Sequence, residues 1–291
     1  MSASNTRDSS KAALRLQAIP AAFTRVNGLE VESLLRMVRR VADRGVTLSV
    51  VIPARNEASI LGYCLTALSG QSDPVDEIIL VDNDSSDSTA AVARSHPGVV
   101  VVREPRHGVT YARNTGFDAA TADVIVRIDA DTIVTADWAR SIRRAFAADR
   151  SLAGLTGPAG FTRLSSGGRV NGRAAYALIR AIHEQMIGSG PVMYGHNMAL
   201  TRAAWIQLRD AVTCGDDAIS EDLDVTLALV CSGQRIGYER GMLVSIGVER
   251  TLRDGKLARY RRTNRLTMAK YRNGHVEVAS ASNEQAGRRS P

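Results

Sequence analysis

The chain has 291 residues, 44% of them hydrophobic and 23% charged, with a formal net charge of +7. That suits one large globular domain, alone or with an appended lobe. No run approaches the roughly 18 consecutive apolar residues of a membrane-spanning helix, and the three cysteines (Cys64, Cys214, Cys231) form no Cys-x-x-Cys pair, which speaks against a zinc site or a disulfide framework and for free buried thiols. The first ten residues are polar and hold no apolar signal core, so the expected location is cytoplasmic, with peripheral contact at the inner face of a membrane left open. The charge is uneven. Residues 250–291 carry eleven Lys or Arg against three Asp or Glu, so the basic character belongs to this segment and the rest is close to neutral. Such a segment could meet a phosphate-rich ligand or an anionic surface; no nucleic acid partner is expected.

In chain order, residues 1–28 read as a loosely attached arm. Leu34, Leu35, Val38 and Val41 then give residues 29–41 the spacing of an amphipathic helix. Residues 47–52 form a first strand, stopped by Pro53-Ala54-Arg55-Asn56-Glu57, and residues 58–69 a helix. A second strand covers 76–81 and ends in Asp82-Asn83-Asp84-Ser85-Ser86-Asp87-Ser88-Thr89, turn and N-cap residues that open a helix to about Arg94. Strand 99–102, helix 109–120, strand 124–128 and helix 136–148 follow. The second half is less regular. It holds a Gly- and Pro-broken strand region at 152–161, a helix over 168–187 and a short strand or loop at 194–200 leading into a helix near Arg202. A helix over 220–231 with Ser220 as N-cap, two short strands around Gly241, and a final helix with Leu257, Tyr260, Asn264, Met268 and Tyr271 on one face complete it. Residues after Asn273 read as disordered. Trp138 and Trp205 are expected in the core.

Four strand–helix alternations within about a hundred residues predict an α/β fold with an open, mostly parallel central sheet flanked by helices. Right-handed crossovers put the loops after the strands on one rim. That rim collects Asn56 and Glu57, Asp82 and Asp84, and Asp129 and Asp131. Two carboxylates one residue apart at the end of a buried strand lie where such sheets bind ligands, and they can hold a divalent cation that neutralises a diphosphate.

These residues resemble a known family. Ser49-Val50-Val51-Ile52-Pro53-Ala54-Arg55-Asn56-Glu57 resembles the opening strand of family 2 glycosyltransferases, which have the GT-A nucleotide-sugar-binding fold. The stretch from Val81 to Thr89 is similar to their V-D-D-G-S-x-D-x-T block, with Asp84 where glycine is common. Ala112-Arg113-Asn114-Thr115-Gly116 is similar to a third block, and Asp129-Ala130-Asp131 falls where the family carries D-x-D. Gly195-His196-Asn197-Met198-Ala199 resembles G-x-N-x-A, and Ser220-Glu221-Asp222 resembles T/S-E-D. The likeness runs from about Thr47 to Val248. The Q-x-x-R-W block and flanking membrane helices of processive members are missing from this sequence, so the resemblance is to the non-processive type, which moves one sugar or a few.

The resemblance implies an inverting hexosyl transfer from a nucleotide-sugar, a UDP-sugar first and a GDP-sugar second, to a sugar, lipid-linked or small-molecule acceptor. Mg2+ or Mn2+ is the implied cofactor. Asp131 would bind the metal and Asp129 the ribose or sugar. Asp222 would be the general base, with Glu221, His196 and Asn197 on the acceptor side. Asp82 would meet the nucleobase, with Pro53, Arg55 and Glu57 along that wall. Glu57 as an acid favoured at a helix N-terminus is an equal reading, and so is Arg113 as an ion-pair partner of Asp129 rather than a nucleotide contact. If helical, Glu221 and Asp222 diverge by about 100°, so only one can aim at the acceptor. Asp216 and Asp217 read as a solvated loop, and Arg261, Arg262 and Arg265 as either a solvated face or a diphosphate contact. His275 stays outside the site.

By organisation, residues 1–46 would be an arm and helix, 47–250 the transferase domain (47–135 for the nucleotide-sugar, 136–250 for the acceptor), and 251–291 a basic helix and tail. A dinucleotide oxidoreductase would need G-x-G-x-x-G after the first strand, and a nucleotidyltransferase a Gly-rich basic loop there; Pro53-Ala54-Arg55-Asn56-Glu57 has neither. The competing non-enzymatic reading is an inactive GT-A-like binding protein with a basic tail.

Overall fold

The computed structural model describes residues 25–26, 29–30, 45–162, 166–188, 190–247 and 256–272. The chain divides into two compact units, 1–45 and 46–291. In the first, strands β1 (Arg25–Val26) and β2 (Leu29–Glu30) pair antiparallel. Leu29 therefore belongs to a strand and not to the expected helix, whose residues 31–41 lie outside the described residues. Asn27-Gly28 between the strands is a dipeptide that favours hairpin connections, a local signal that outweighs apolar spacing over so short a run.

The second unit is built on a seven-stranded sheet. Its strands are β3 (Leu48–Ala54), β4 (Glu77–Asp82), β5 (Val99–Arg103), β6 (Val124–Arg127), β8 (Leu152–Thr156), β10 (Met198–Thr201) and β11 (Arg235–Tyr238). The order is β11-β8-β10-β6-β3-β4-β5. Strands β6, β3, β4 and β5 are parallel, β10 runs antiparallel to β6 and β8, and β11 is parallel to β8. Apolar runs such as Val50 to Ile52 and Val124 to Val126 suit strands buried on both faces. Successive residues of β3 serve opposite cores: Val50 and Ile52 pack with Trp138, Val51 with Trp205. Both tryptophans are buried, as expected. A smaller sheet of β7 (Ile133–Val134), β12 (Val244–Gly247) and β9 (Ala159–Thr162) has the order β7-β12-β9.

The helices are α1 (Leu61–Ser69), α2 (Thr89–Arg94), α3 (Val109–Ala119), α4 (Trp138–Ala148), α5 (Ser166–Ile187), α6 (Arg202–Leu208), α7 (Glu221–Cys231) and α8 (Lys256–Arg272). Helix α3 lies close on β3 and β4 because residue 116 is glycine; a Cβ there would run into Val51 and Val81. Strand β3 continues through Pro53 where a loop was expected. The ladder to β6 has ended at Val51, so the missing proline N–H interrupts no pairing on that side. The thiol expectation holds only for Cys64; Cys214 and Cys231 are exposed.

Candidate functional site

The carboxyl ends of β3, β4, β5 and β6 open onto one cavity of about 650 Å3. Pro53, Arg55 and Glu57 line it from β3 and the following loop, Asn83 from the loop after β4, and His107 and Gly108 from the loop after β5. Arg127, Asp129 and Asp131 line it after β6, while Glu221 and Asp222 close it from the first turn of α7. Carboxylates separated by some ninety residues of sequence thus share one space.

Local chemistry fixes each wall. Asn56 and Asp84 are the described non-glycine residues with positive φ, at 57° and 55°. Both are residue types that tolerate the left-handed region, which accounts for an aspartate standing at position 84 where the family pattern favours glycine. Half-buried Asp84 is bonded by His107 Nε2 at 2.6 Å and Arg103 Nη2 at 3.3 Å, contacts that hold its carboxyl below the usual range. Asn83 is buried and ties down the neighbouring loop: its Nδ2 donates to the carbonyls of Glu104 and Arg106 at 3.1 and 2.6 Å, and its Oδ1 accepts from Gly108 N at 2.9 Å. Glu57 starts α1 in both senses. Its carbonyl accepts from Ile60 N and Leu61 N, each at 3.0 Å, and its side chain faces the cavity.

Arg127 organises the centre. It is the last residue of β6 and is almost wholly buried. Its Nη2 donates to Asp129 Oδ1 at 3.0 Å and its Nη1 to Glu221 Oε1. Gly195 leaves room for this guanidinium, since a Cβ at that position would collide with it. Burial alone would pull the Arg127 pKa down; the charges of Glu221 and Asp129 outweigh it and leave it raised. Burial raises the Glu221 carboxyl against the opposing pull of Arg127 and Arg113.

Arg113 corrects an expectation. It contacts neither the cavity nor Asp129. It is fully buried, donating to the Glu221 carbonyl and the Thr213 carbonyl at 3.0 Å each and to Glu221 Oε2 at 3.5 Å. Its place on the inner side of α3 points it under α7, so it is a strut for the first turn of that helix rather than a nucleotide contact. Asn197 is a second correction. It is fully buried, its Oδ1 accepting from Trp138 Nε1 at 3.1 Å and its Nδ2 donating to the Met242 carbonyl at 2.7 Å. It joins α4, β10 and the loop before β12, with no face left for an acceptor.

Glu221 and Asp222 diverge as helical geometry requires. Glu221 turns to the two arginines. Asp222 Oδ1 accepts from Ser220 Oγ at 2.7 Å and from Leu223 N at 2.8 Å. Ser220 occupies the N-cap position of α7, but its hydroxyl serves Asp222 instead of capping the helix. Asp82 stands beside the cavity: it is the register partner of the lining residue Ala54, and its Oδ1 accepts from Ser85 N at 3.2 Å. Asp217, expected in a solvated loop, lines the cavity.

Helix α8 contributes Tyr260 and Thr263 to the lining, whereas Arg261, Arg262 and Arg265 are exposed and lie outside it. The helix is anchored by Lys270, whose Nζ meets Asp224 Oδ1 at 2.7 Å, with Asp224 fully buried. His196 is held by Tyr176 at 2.9 Å, and burial lowers its pKa. It lines both the main cavity and a second, smaller one that meets it at Asp222. Residues 273–291, which include His275, lie outside the described residues.

An open α/β sheet with a carboxylate-rich cavity at the carboxyl ends of its parallel strands is a ligand-binding α/β fold of the doubly wound kind. Among solved structures it is similar to the mannosyltransferase PcManGT from Pyrobaculum calidifontis in complex with GDP-Man and Mn2+, with TM-score 0.61 and 21% identity over 84% of this chain and 72% of that one. It is also similar to glucosyl-3-phosphoglycerate synthase from Mycobacterium tuberculosis in complex with Mn2+, UDP and phosphoglyceric acid, with TM-score 0.54 and 20% identity over 79% and 78%. The fold is GT-A. Residues 49–207 match the model of glycosyl transferase family 2, and the chain belongs to that family. Among curated proteins it is 29% identical over 225 residues to the pre-mycofactocin glycosyltransferase of Mycobacterium tuberculosis, covering 71% of this chain and 44% of that protein. It is 36% identical over 120 residues to the probable polypeptide N-acetylgalactosaminyltransferase 8 of Homo sapiens, covering 36% and 19%. The chain thus spans less than half the length of these curated relatives. Among the described residues no helix is long and apolar enough to cross a membrane.

Proposed function

We propose that the protein is an inverting glycosyltransferase that moves a sugar from a nucleotide-sugar, with UDP-sugars the first choice and GDP-sugars the second, to an acceptor hydroxyl. The observation that carries this reading is the convergence of Asp129, Asp131 and Asp222 on one cavity whose other wall is Pro53, Arg55 and Glu57. Its volume of about 650 Å3 lies within the range of small-molecule sites.

Asp129 and Asp131 fit a hard divalent cation. They offer carboxylate oxygens, and among the described residues no group of three or more His, Cys, Asp or Glu surrounds them. Such a station suits Mg2+ or Mn2+, which complete their shells with substrate phosphates and water. Asp131 would hold the ion, and Asp129, fixed by Arg127, would face the ribose or the sugar. When bound, the cation neutralises the departing nucleoside diphosphate. Asp82 would reach the nucleobase from beside Ala54.

Asp222 would take the proton of the acceptor hydroxyl. Its hydrogen bonds among the described residues fall on Oδ1, so Oδ2 would be the oxygen that receives it. The acceptor oxygen then bonds the anomeric carbon from the face opposite the diphosphate, and the carbon–oxygen bond to phosphate breaks with its electron pair leaving on the nucleotide. The anomeric centre inverts. General-base help of this kind contributes about 10²- to 10⁴-fold.

The test is a thermal-shift panel of UDP- and GDP-sugars with Mn2+. A ligand at 100 times its Kd stabilises the folded state by about 2.7 kcal/mol, and one donor should raise the melting temperature accordingly. If no nucleotide-sugar shifts it, the reading fails.

A further inference from the structure

The second cavity has a chemistry of its own. It measures about 260 Å3, below the usual range for drug-sized ligands, so it suits a compact body. Phe161, Tyr176, Ile179, Val192, Leu223 and Met268 supply an apolar wall. Three further rings, His183, Tyr194 and His196, stack in sequence, with centroid distances of 5.9 and 5.6 Å and interplanar angles of 27° and 19°. Tyr176 packs edge-on against Tyr194 and His196. Two of its hydroxyls are engaged with one nitrogen of each histidine: Tyr176 with His196 Nε2 at 2.9 Å, and Tyr194 with His183 Nδ1 at 3.0 Å. The wall therefore presents mainly carbon to an occupant.

Its charge is equally restrictive. None of the described residues lining it is Lys or Arg, and its one carboxylate is Asp222. Burial lowers the His183 pKa, so this ring offers no positive charge at neutral pH. An anionic acceptor placed here would lose its hydration and face a carboxylate with no cation among the described lining residues; Arg180, whose charge reaches Tyr176 and Tyr194, is already paired with Glu184. The cavity meets the main one at His196, Ser220, Asp222, Ile246 and Tyr260, so a molecule seated in it has its inner end at the carboxylate. Outside, α5 continues the apolar character, with Leu178, Ile179 and Ile182 exposed by 63%, 42% and 48%.

We infer that the second cavity is the acceptor subsite, and that it takes an uncharged alcohol whose apolar body fills the aromatic pocket while its hydroxyl meets Asp222 at the junction with the donor cavity. This rests on the transferase reading above and narrows it to an acceptor class. The group-transfer step is unchanged: the alcohol oxygen bonds the anomeric carbon, its proton goes to Asp222, and the nucleoside diphosphate leaves with the bonding pair. The shared chemistry is a hydroxyl on a compact hydrocarbon, either ring or chain.

The experiment uses the full chain, Mn2+ and the nucleotide-sugar that gives the largest thermal shift. Acceptors are 2-phenylethanol (ring), 1-octanol (chain), 3-phosphoglycerate (anionic) and methyl mannoside (uncharged and polar), with glycoside formation read by mass spectrometry. The inference predicts transfer to 2-phenylethanol or 1-octanol at least tenfold faster than to either polar acceptor, and the faster of the two identifies ring or chain. Ile179→Glu, a change at a half-exposed residue that lines this cavity and not the main one, should raise the KM for that alcohol at least tenfold while the donor-induced thermal shift persists. A preference for 3-phosphoglycerate or methyl mannoside overturns the inference, as does donor binding without transfer to either apolar alcohol, or an unchanged KM in Ile179→Glu. Absence of any donor-induced shift defeats the transferase reading itself and is thereby told apart from failure of the subsite.

Discussion

The two halves of the cavity are built by different means. On the side of β3 to β6, the walls are ends of parallel strands, and the lining residues after β3, β4 and β6 follow buried, largely apolar runs. On the side of α7, the wall is the first turn of one helix, and buried ionic contacts set its position: Glu221 between Arg127 and Arg113 below, and Asp224 with Lys270 behind. The first half is a rigid rim formed by sheet topology. The second is a helix end docked onto that rim by charge pairs, a less forgiving arrangement because a buried charge that loses its partner is costly. Substitutions on the rim should therefore change ligand binding and chemistry with little effect on the fold, and substitutions beneath α7 should do the opposite.

The largest expected effect tests the rim. Asp131→Ala should lower transfer by about 10²- to 10³-fold, the usual cost of removing a group that stabilises developing charge, and should abolish the cation-dependent part of donor binding while the melting temperature of the free protein is kept. Kinetics and thermal shift on the same preparation check both halves of that statement. Asp222→Asn should lower transfer by about 10²- to 10⁴-fold with donor affinity retained, since the residue acts on the acceptor proton. Near-normal turnover in that variant would remove Asp222 from the role of base.

Beneath α7 the readout moves to stability. Glu221→Gln leaves buried Arg113 without its carboxylate and Arg127 with Asp129 alone, a class of change that costs up to about 3–5 kcal/mol, and denaturant unfolding should report a loss in that direction. Asn197→Ala should cost about 1–3 kcal/mol through the unpaired Trp138 N–H and Met242 carbonyl, with the acceptor KM unchanged. A shifted KM at full stability would return Asn197 to the acceptor site. The smallest effect concerns pH. The Arg106 guanidinium holds the Glu104 carboxyl at about 2, below its ordinary 4.5. A carboxyl with a depressed folded pKa binds fewer protons folded than unfolded, so its contribution is full above about 4.5 and is lost as pH falls toward about 2. Glu104→Gln should flatten the fall in melting temperature across that window.

The rim was legible in the sequence because its signals are local. Short apolar runs closed by turns, the one after β4 rich in Asp, Asn and Ser and the one after β6 carrying Asp129 and Asp131, predict both the parallel strands and the edge on which their ends collect. The same logic marked Asp129, Asp131 and Glu57 as wall residues. Asp222 was singled out through the Ser220-Glu221-Asp222 pattern and lines the cavity, and the helical divergence of the two acids is seen in Glu221 turning to Arg113 and Arg127. The roles of Arg113 and Asn197 were misjudged because those depend on long-range burial, which spacing does not encode. Arg127 was missed altogether, although a signal was present. An arginine ending a strand of Val124, Ile125 and Val126 must be buried with the strand and must therefore find carboxylates. The second cavity had no sequence signature, because its rings come from β9, α5, the loop before β10 and α8.

The central claim is that the rim is a cation-dependent nucleoside diphosphate site. Isothermal titration of UDP and of GDP into the protein, with Mn2+ and again with EDTA, tests it most directly. The account predicts that at least one nucleotide binds with Mn2+, that its affinity falls at least tenfold in EDTA, and that Asp131→Ala with Mn2+ reproduces the EDTA result. Binding of equal strength with and without the cation, or no binding of either nucleotide, would contradict it.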